Sequence, residues 1–230
     1  NAADGVKNPG NNLVTTLDVS LQEAAYNAMG LYEGAIVVME PSTGKILAMV
    51  SKPDFDPNEI AQEWENLNQD GSSVLLNRAS QGLYPPGSTF KIITALEYIR
   101  ENPDDWENYR FQCSGSYTHG DTTIRCYHGS SHGSLDFIHS FAESCNSSFA
   151  NIGMSLDRRS FLSTLDELLF NRELPVDIAY SRSSVALDED SGDADMIQTV
   201  IGQGKTQMTP LHLCMITSAI ANDGVLMKPY

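Results

Sequence analysis

The stretch YPPGSTFKIITALEYI, Tyr84–Ile99, decides how the rest of the chain is read. From Thr89 onward the apolar residues Ile92, Ile93, Leu96 and Ile99 recur at helical spacing until ENPDD, Glu101–Asp105, stops them. The helix is apolar enough to be a buried, central one, and the Pro85-Pro86-Gly87 bend fixes how the chain enters it. Ser88 and Lys91 stand three residues apart at that entrance, so they share one face and the amine can reach the hydroxyl. A serine needs a base to attack a carbonyl, and lysine serves only when burial or positive neighbours leave part of it neutral. Unpaired backbone N–H groups at a helix start can also stabilise a developing oxyanion. The competing reading makes Ser88 a helix cap and Lys91 a solvated surface residue. Ser42 and Lys45 repeat the S-x-x-K spacing in PSTGK, but inside a turn, so the pattern alone is weak.

Outward from this centre, GAIVVMEPSTGKILAMVS predicts a hairpin of strands Ala35–Glu40 and Lys45–Ser51, separated by Pro41, Ser42, Thr43 and Gly44. Before it, TTLDVSLQEAAYNAMG predicts a helix capped by Asp18 or Ser20 and ended by Gly30. KPDFDPNEIAQEW opens a polar segment running to Gly71, and Asn108–Ser134 reads as loop-rich. Helices are predicted over Leu135–Ala142, from about Ser147, and over TPLHLCMITSAIANDG with Pro210 in the first turn and Gly224 past the end. A strand-like VLMKPY follows. The acidic run SRSSVALDEDSGDAD reads as a solvated loop, because Gly192 stands where a calcium loop needs a ligand.

Composition excludes several function classes. The 230 residues carry 14 basic and 30 acidic side chains, a net charge of −16, which repels phosphate backbones and argues against a nucleic-acid partner. The longest apolar runs are too short to span a membrane, and NAADGVKNPGNN at the start lacks the charged and apolar regions of a signal peptide. Cys113, Cys126, Cys145 and Cys214 allow three full pairings. The turn-prone interval CSGSYTHGDTTIRC makes Cys113–Cys126 the candidate disulfide, with free thiols as the alternative. Cys126, His128 and His132 have spacings a metal could use, but no fourth zinc ligand lies at similar spacing, so no metal is assigned.

ESCNSS supplies a second chemical element. Ser144 and Asn146 form the chain's S-x-N, placed between two predicted helices, where a serine can shuttle a proton and an amide can orient a peptide. Taken singly, such a turn is more often a helix cap.

With these motifs in hand the chain resembles the transpeptidase domain of the penicillin-binding proteins, and more closely the monofunctional class B members. The resemblance runs through TTLDVSLQEAA, GAIVVMEPSTGKILAMVSKPDFDPN, NRASQGLYPPGSTFKIITALEY, HGSLDFIHSFAESCNSSFANIG and GQGKTQMTPLHLCMITSAIANDGVLMKPY, in the family's order. It implies an α/β (α+β) fold: an antiparallel sheet with helices on both faces, plus a helical subdomain. It implies Ser88 as the acylated nucleophile, Lys91 as its base, Ser144 as proton relay and Asn146 as a substrate-holding amide. Cys145 replaces the aspartate of S-D-N.

The implied reaction cross-links peptidoglycan stem peptides through a serine acyl-enzyme that β-lactam antibiotics block, without a cofactor. The implied setting is the extracytoplasmic face of the bacterial membrane, with the parent protein anchored by an N-terminal helix and partnered by a membrane-bound glycan polymerase. The third family motif, K-T-G, is absent: GKTQ, Gly204–Gln207, has Gln207 where glycine belongs, and Thr199 rules out a phosphate loop. Residues 1–230 are therefore expected to form a single transpeptidase-like domain lacking its C-terminal strands. A non-catalytic β-lactam sensor or scaffold and a serine β-lactamase are the alternative readings.

Overall fold

The computed structural model describes residues 11–230. The signal-peptide reading of the first residues falls mainly on residues 1–10, outside this range.

Helix α1, Val19–Ala28, begins where Asp18 accepts a hydrogen bond from the Leu21 N–H at 3.0 Å. Asp18 rather than Ser20 is thus the cap. Strands β1, Gly34–Met39, and β2, Ile46–Lys52, pair antiparallel as expected. Their register pairs Val38 with Ala48 and Met39 with Ile46, leaving Leu47 as an extra residue. This bulge reverses the facing of the strand. Ala48 and Val50 pack on Ala25 of α1 and on Met29 at its end, whereas Ile46 joins Met39 against Leu211 and Met215 on the other side. The bulged Leu47 carbonyl accepts the Asp18 N–H at 2.9 Å, tying helix to hairpin.

Leu211 and Met215 belong to α8, Pro210–Ala221, which Thr209 caps by accepting from the His212 N–H. The hairpin therefore carries a helix on each face. VLMKPY forms no strand, although Tyr230 exchanges backbone bonds with Gly44 and Ile46 at 3.1 and 2.9 Å.

The second body is helical. Its centre is α3, Lys91–Glu101, surrounded by α5, Asn146–Ser155, α6, Arg158–Glu167, and α7, Asp193–Val200. Phe90, Ile93, Phe149, Ile152, Phe161 and Ile197 are at most 1 % exposed and form its core. Gly153 is required there, because a Cβ would lie 2.5 Å from a Val200 methyl of α7. The Thr94 hydroxyl donates to the Val200 carbonyl at 2.7 Å, giving the α3–α7 contact a polar lock.

Several sequence expectations need correction. The polar segment before Gly71 contains a further helix, Ile60–Gln69, labelled α2, none of whose residues is buried. The loop-rich region holds four short strands: β3, Arg110–Cys113, β4, Ser116–His119, β5, Thr122–Arg125, and β6, Gly133–Asp136. They pair β3 with β6 and β4 with β5. Helix α4 starts at Phe137 rather than Leu135, because Leu135 is drawn into β6 opposite Phe111. Asp136 then caps α4 by accepting from the His139 N–H at 2.7 Å.

Candidate active site

Ser88 does not sit in the α-helix itself. Residues Gly87–Phe90 form a 3₁₀ turn that leads into α3 at Lys91. With three residues per turn, positions i and i+3 eclipse, which aligns Ser88 with Lys91 more closely than an α-turn would. The Lys91 Nζ lies 3.3 Å from the Ser88 Oγ. The turn is held from outside: the Gly87 N–H donates to the Gly202 carbonyl at 2.8 Å. Gly202 has φ +70°, and a Cβ there would press on Phe90 at 2.7 Å, so this position, two residues past α7, must be glycine.

The predicted residues converge on Lys91. Its Nζ donates to the Ser144 Oγ at 3.0 Å, the Ser144 carbonyl at 2.6 Å and the Asn146 Oδ1 at 2.7 Å. Ser88, Lys91, Ser144 and Asn146 thus form one cluster although 53 residues separate Lys91 from Ser144. Lys91 is 1 % exposed while both serines are exposed, so the amine is dry and the hydroxyls face solvent. Burial pushes Lys91 down from its ordinary value to about 8. The Phe149 ring, 5.5 Å from the Nζ, forms part of its apolar floor.

Ser144 adopts a left-handed backbone, φ +49°, uncommon for a residue other than glycine. This bend turns its carbonyl and its hydroxyl toward the same amine. Cys145 follows as N-cap of α5, its Sγ accepting from the Ser148 N–H at 3.4 Å, and Asn146 opens the helix. The Asn146 Nδ2 donates to the Arg125 carbonyl at 3.1 Å, which links the S-x-N turn to the end of β5. Beside Asn146 a cleft of about 490 Å³ extends between Thr123–Arg125 and Gln198–Gln203. Lys205 is exposed in the turn that follows α7, consistent with its reading as a loop residue.

Two features were not legible in the motifs. One is the Ser144 carbonyl as a partner of Lys91, since backbone groups leave no trace in residue identity. The other is a cluster behind the S-x-N turn. Cys113, Cys126, His132 and Cys145 place one ligand atom each within 4.8 Å of one another. The Cys113 and Cys126 thiols are free and 3.7 Å apart, and His128 is not part of the group. Cys145, expected only as the middle of S-x-N, completes the cluster.

Residues 34–230 match the family described as penicillin binding protein transpeptidase domain. The chain belongs to the penicillin-binding protein transpeptidase family. Peptidoglycan D,D-transpeptidase PbpA of Mycolicibacterium smegmatis is 33% identical over 96% of this chain and 48% of that protein. The ceftriaxone acyl-enzyme of penicillin-binding protein A from Mycobacterium tuberculosis superposes with a TM-score of 0.86 at 31% identity, covering 94% of this chain and 52% of that one. PBP2 from Helicobacter pylori, in complex with MreC, gives 0.83 at 29% identity over 93% of this chain and 42% of that one. The chain spans about half the length of the curated PbpA relatives it matches. These transpeptidase relatives share its mixed arrangement of helices and antiparallel strands.

Proposed function

We propose that this chain carries the acylating centre of a peptidoglycan D,D-transpeptidase, with residues 1–230 acting as one catalytic unit. The observation that carries the reading is a dry lysine amine held between two solvent-facing serine hydroxyls, at 3.3 and 3.0 Å. Neutral Lys91 takes the proton of Ser88 as its Oγ attacks the carbonyl of the penultimate D-Ala of a stem peptide. The C–N bond to the terminal D-Ala then breaks, and the leaving amine receives a proton from Lys91 through the Ser144 hydroxyl. An amine of a neighbouring stem attacks the Ser88 ester, regenerating the hydroxyl. Asn146 lines the adjoining cleft and holds the peptide by its amide.

A β-lactam, whose strained amide mimics D-Ala-D-Ala, acylates Ser88 by the same first step. On the strength of the family resemblance, the parent works at the extracytoplasmic face under an N-terminal membrane anchor, beside a membrane-bound glycan polymerase. Among the described residues no helix is long and apolar enough to cross a membrane.

The test is release of D-alanine from a synthetic stem pentapeptide by the full-length protein and its Ser88→Ala variant. Release by wild type alone supports transpeptidation. A stable penicillin adduct without D-alanine release points instead to a sensor, and rapid drug hydrolysis to a β-lactamase.

A further inference from the structure

We propose that Arg125 forms a subsite for a carboxylate on the donor stem peptide, carried by the residue that precedes D-Ala-D-Ala. The inference rests on the acylation reading and names the stem chemistry that the same site selects. It starts from the guanidinium itself. Among the described residues Arg125 is the arginine whose side chain has no partner: Arg100, Arg158, Arg159, Arg172 and Arg182 each pair with a carboxylate, while Arg78 and Arg110 donate to backbone carbonyls. In a chain with 30 acidic and 14 basic residues, an exposed guanidinium left without a carboxylate stands apart.

The catalytic cluster fixes its position. Strand β5 buries Ile124, so alternation sends Thr123 and Arg125 to the opposite, exposed face. The Arg125 carbonyl accepts from the Asn146 Nδ2 while the Asn146 Oδ1 accepts from Lys91, so one amide spans from the amine to the backbone of the arginine. The cleft of about 490 Å³ opens past Asn146: Thr123, Arg125, Gln198 and Gln203 line it, whereas Ser88, Lys91 and Ser144 do not. No acidic side chain lines it, so Arg125 sets its charge. On the other wall Ile201 and Gln203 flank Gly202, whose carbonyl holds the Gly87 N–H next to Ser88. The cleft therefore continues the active site.

Substrate geometry selects the occupant. The terminal D-Ala departs at Ser144, outside the cleft, and takes its own carboxylate with it. The retained part of the stem runs past Asn146. Ser88 Oγ and Asn146 Oδ1 lie 3.3 and 2.7 Å from the same Lys91 Nζ, so they are at most about 6 Å apart, under two residues of extended chain at about 3.3 Å each. The residue preceding the acylated D-Ala thus reaches Asn146, and its side chain faces the cleft. There a guanidinium binds a carboxylate through two parallel N–H···O bonds, and the amides of Gln198 and Gln203 supply further donors. A carboxamide at the same place leaves the positive charge unmatched.

The test compares N-acetyl-L-glutamyl-D-alanyl-D-alanine with its glutaminyl counterpart, each titrated by calorimetry into the full-length Ser88→Ala variant. The glutamyl peptide should bind about ten-fold more tightly, the contribution of one hydrogen-bonded charge pair in an open cleft. Adding Arg125→Gln should make the two peptides bind alike. Adding Lys205→Gln instead, which removes a cation from the exposed turn outside the cleft, should keep the ten-fold preference. Equal or undetectable binding of the two peptides to Ser88→Ala, a preference that survives Arg125→Gln, or one lost to the same extent with Lys205→Gln would overturn the proposal. Arg125 is exposed, so its replacement leaves the core intact. Because Ser88→Ala forms no acyl-enzyme, these binding ratios are independent of catalysis, and D-alanine release by the wild-type protein judges the acylation reading separately.

Discussion

The pH dependence of acylation offers a stringent check on the role of Lys91. Burial brings this lysine down to about 8, so its reactive neutral form makes up roughly a tenth of the protein at pH 7. An ordinary lysine near 10.4 would be neutral in only about one molecule in 2,500 at that pH. In the proposed mechanism the base is the deprotonated amine, so the rate constant for penicillin acylation should rise with pH. Between pH 6 and pH 8 the neutral fraction grows from about 1% to about half, a rise of about fifty-fold, and it levels off above pH 9. With an unshifted lysine the climb would continue beyond pH 10.

Stopped-flow acylation with a chromogenic cephalosporin, read across this range, separates the two curves. The Lys91→Arg variant keeps a positive charge but cannot lose its proton, so its rate should fall by about 10² to 10⁴ at every pH. A flat profile between pH 6 and 9, or near-normal acylation by Lys91→Arg, would refute the assignment of Lys91 as base.

Other consequences follow from the same geometry. Ser144→Ala removes the hydroxyl 3.0 Å from Lys91 and should lower turnover about a hundred-fold, measured as D-alanine release. Ser144→Gly loses the same hydroxyl but accepts φ +49° freely, so in urea melts it should exceed Ser144→Ala in stability by about 1 kcal/mol. Gly202→Ala forces a side chain against the Ser88 turn at a positive φ and should cost about 2 kcal/mol or more, with slower acylation. Phe161→Ala opens the helical core at a fully buried position and should destabilise by about 3 to 5 kcal/mol, again read by urea melts.

The parts of the fold that were legible are those whose signal is local. The hairpin announced itself through two β-rich runs and a Pro-Ser-Thr-Gly turn, and the observed strands differ from the expected ones by about a residue. Ser88 and Lys91 could be paired from spacing, because one helical turn suffices to align them. What was not legible depends on distant partners. Strand β3 finds β6 some twenty residues later, and four-residue strands carry too little alternation to be seen singly. That pairing converts Leu135 from helix to strand and carries Cys113 toward Cys145. The missed helix α2 does carry Ile60, Trp64 and Leu67 at helical spacing, but it buries none of them fully, and the two prolines and many polar residues around it read as loop. Even the left-handed turn at Ser144 follows from its tertiary setting rather than from a glycine.

Activation of Ser88 as a nucleophile is read out by intact mass spectrometry after incubation with benzylpenicillin. The full-length wild-type protein should gain the mass of one penicillin, mapped to the peptide containing Ser88, and Ser88→Ala should gain none. Equal labelling of the Ser88→Ala variant, or an adduct on another residue, would contradict it.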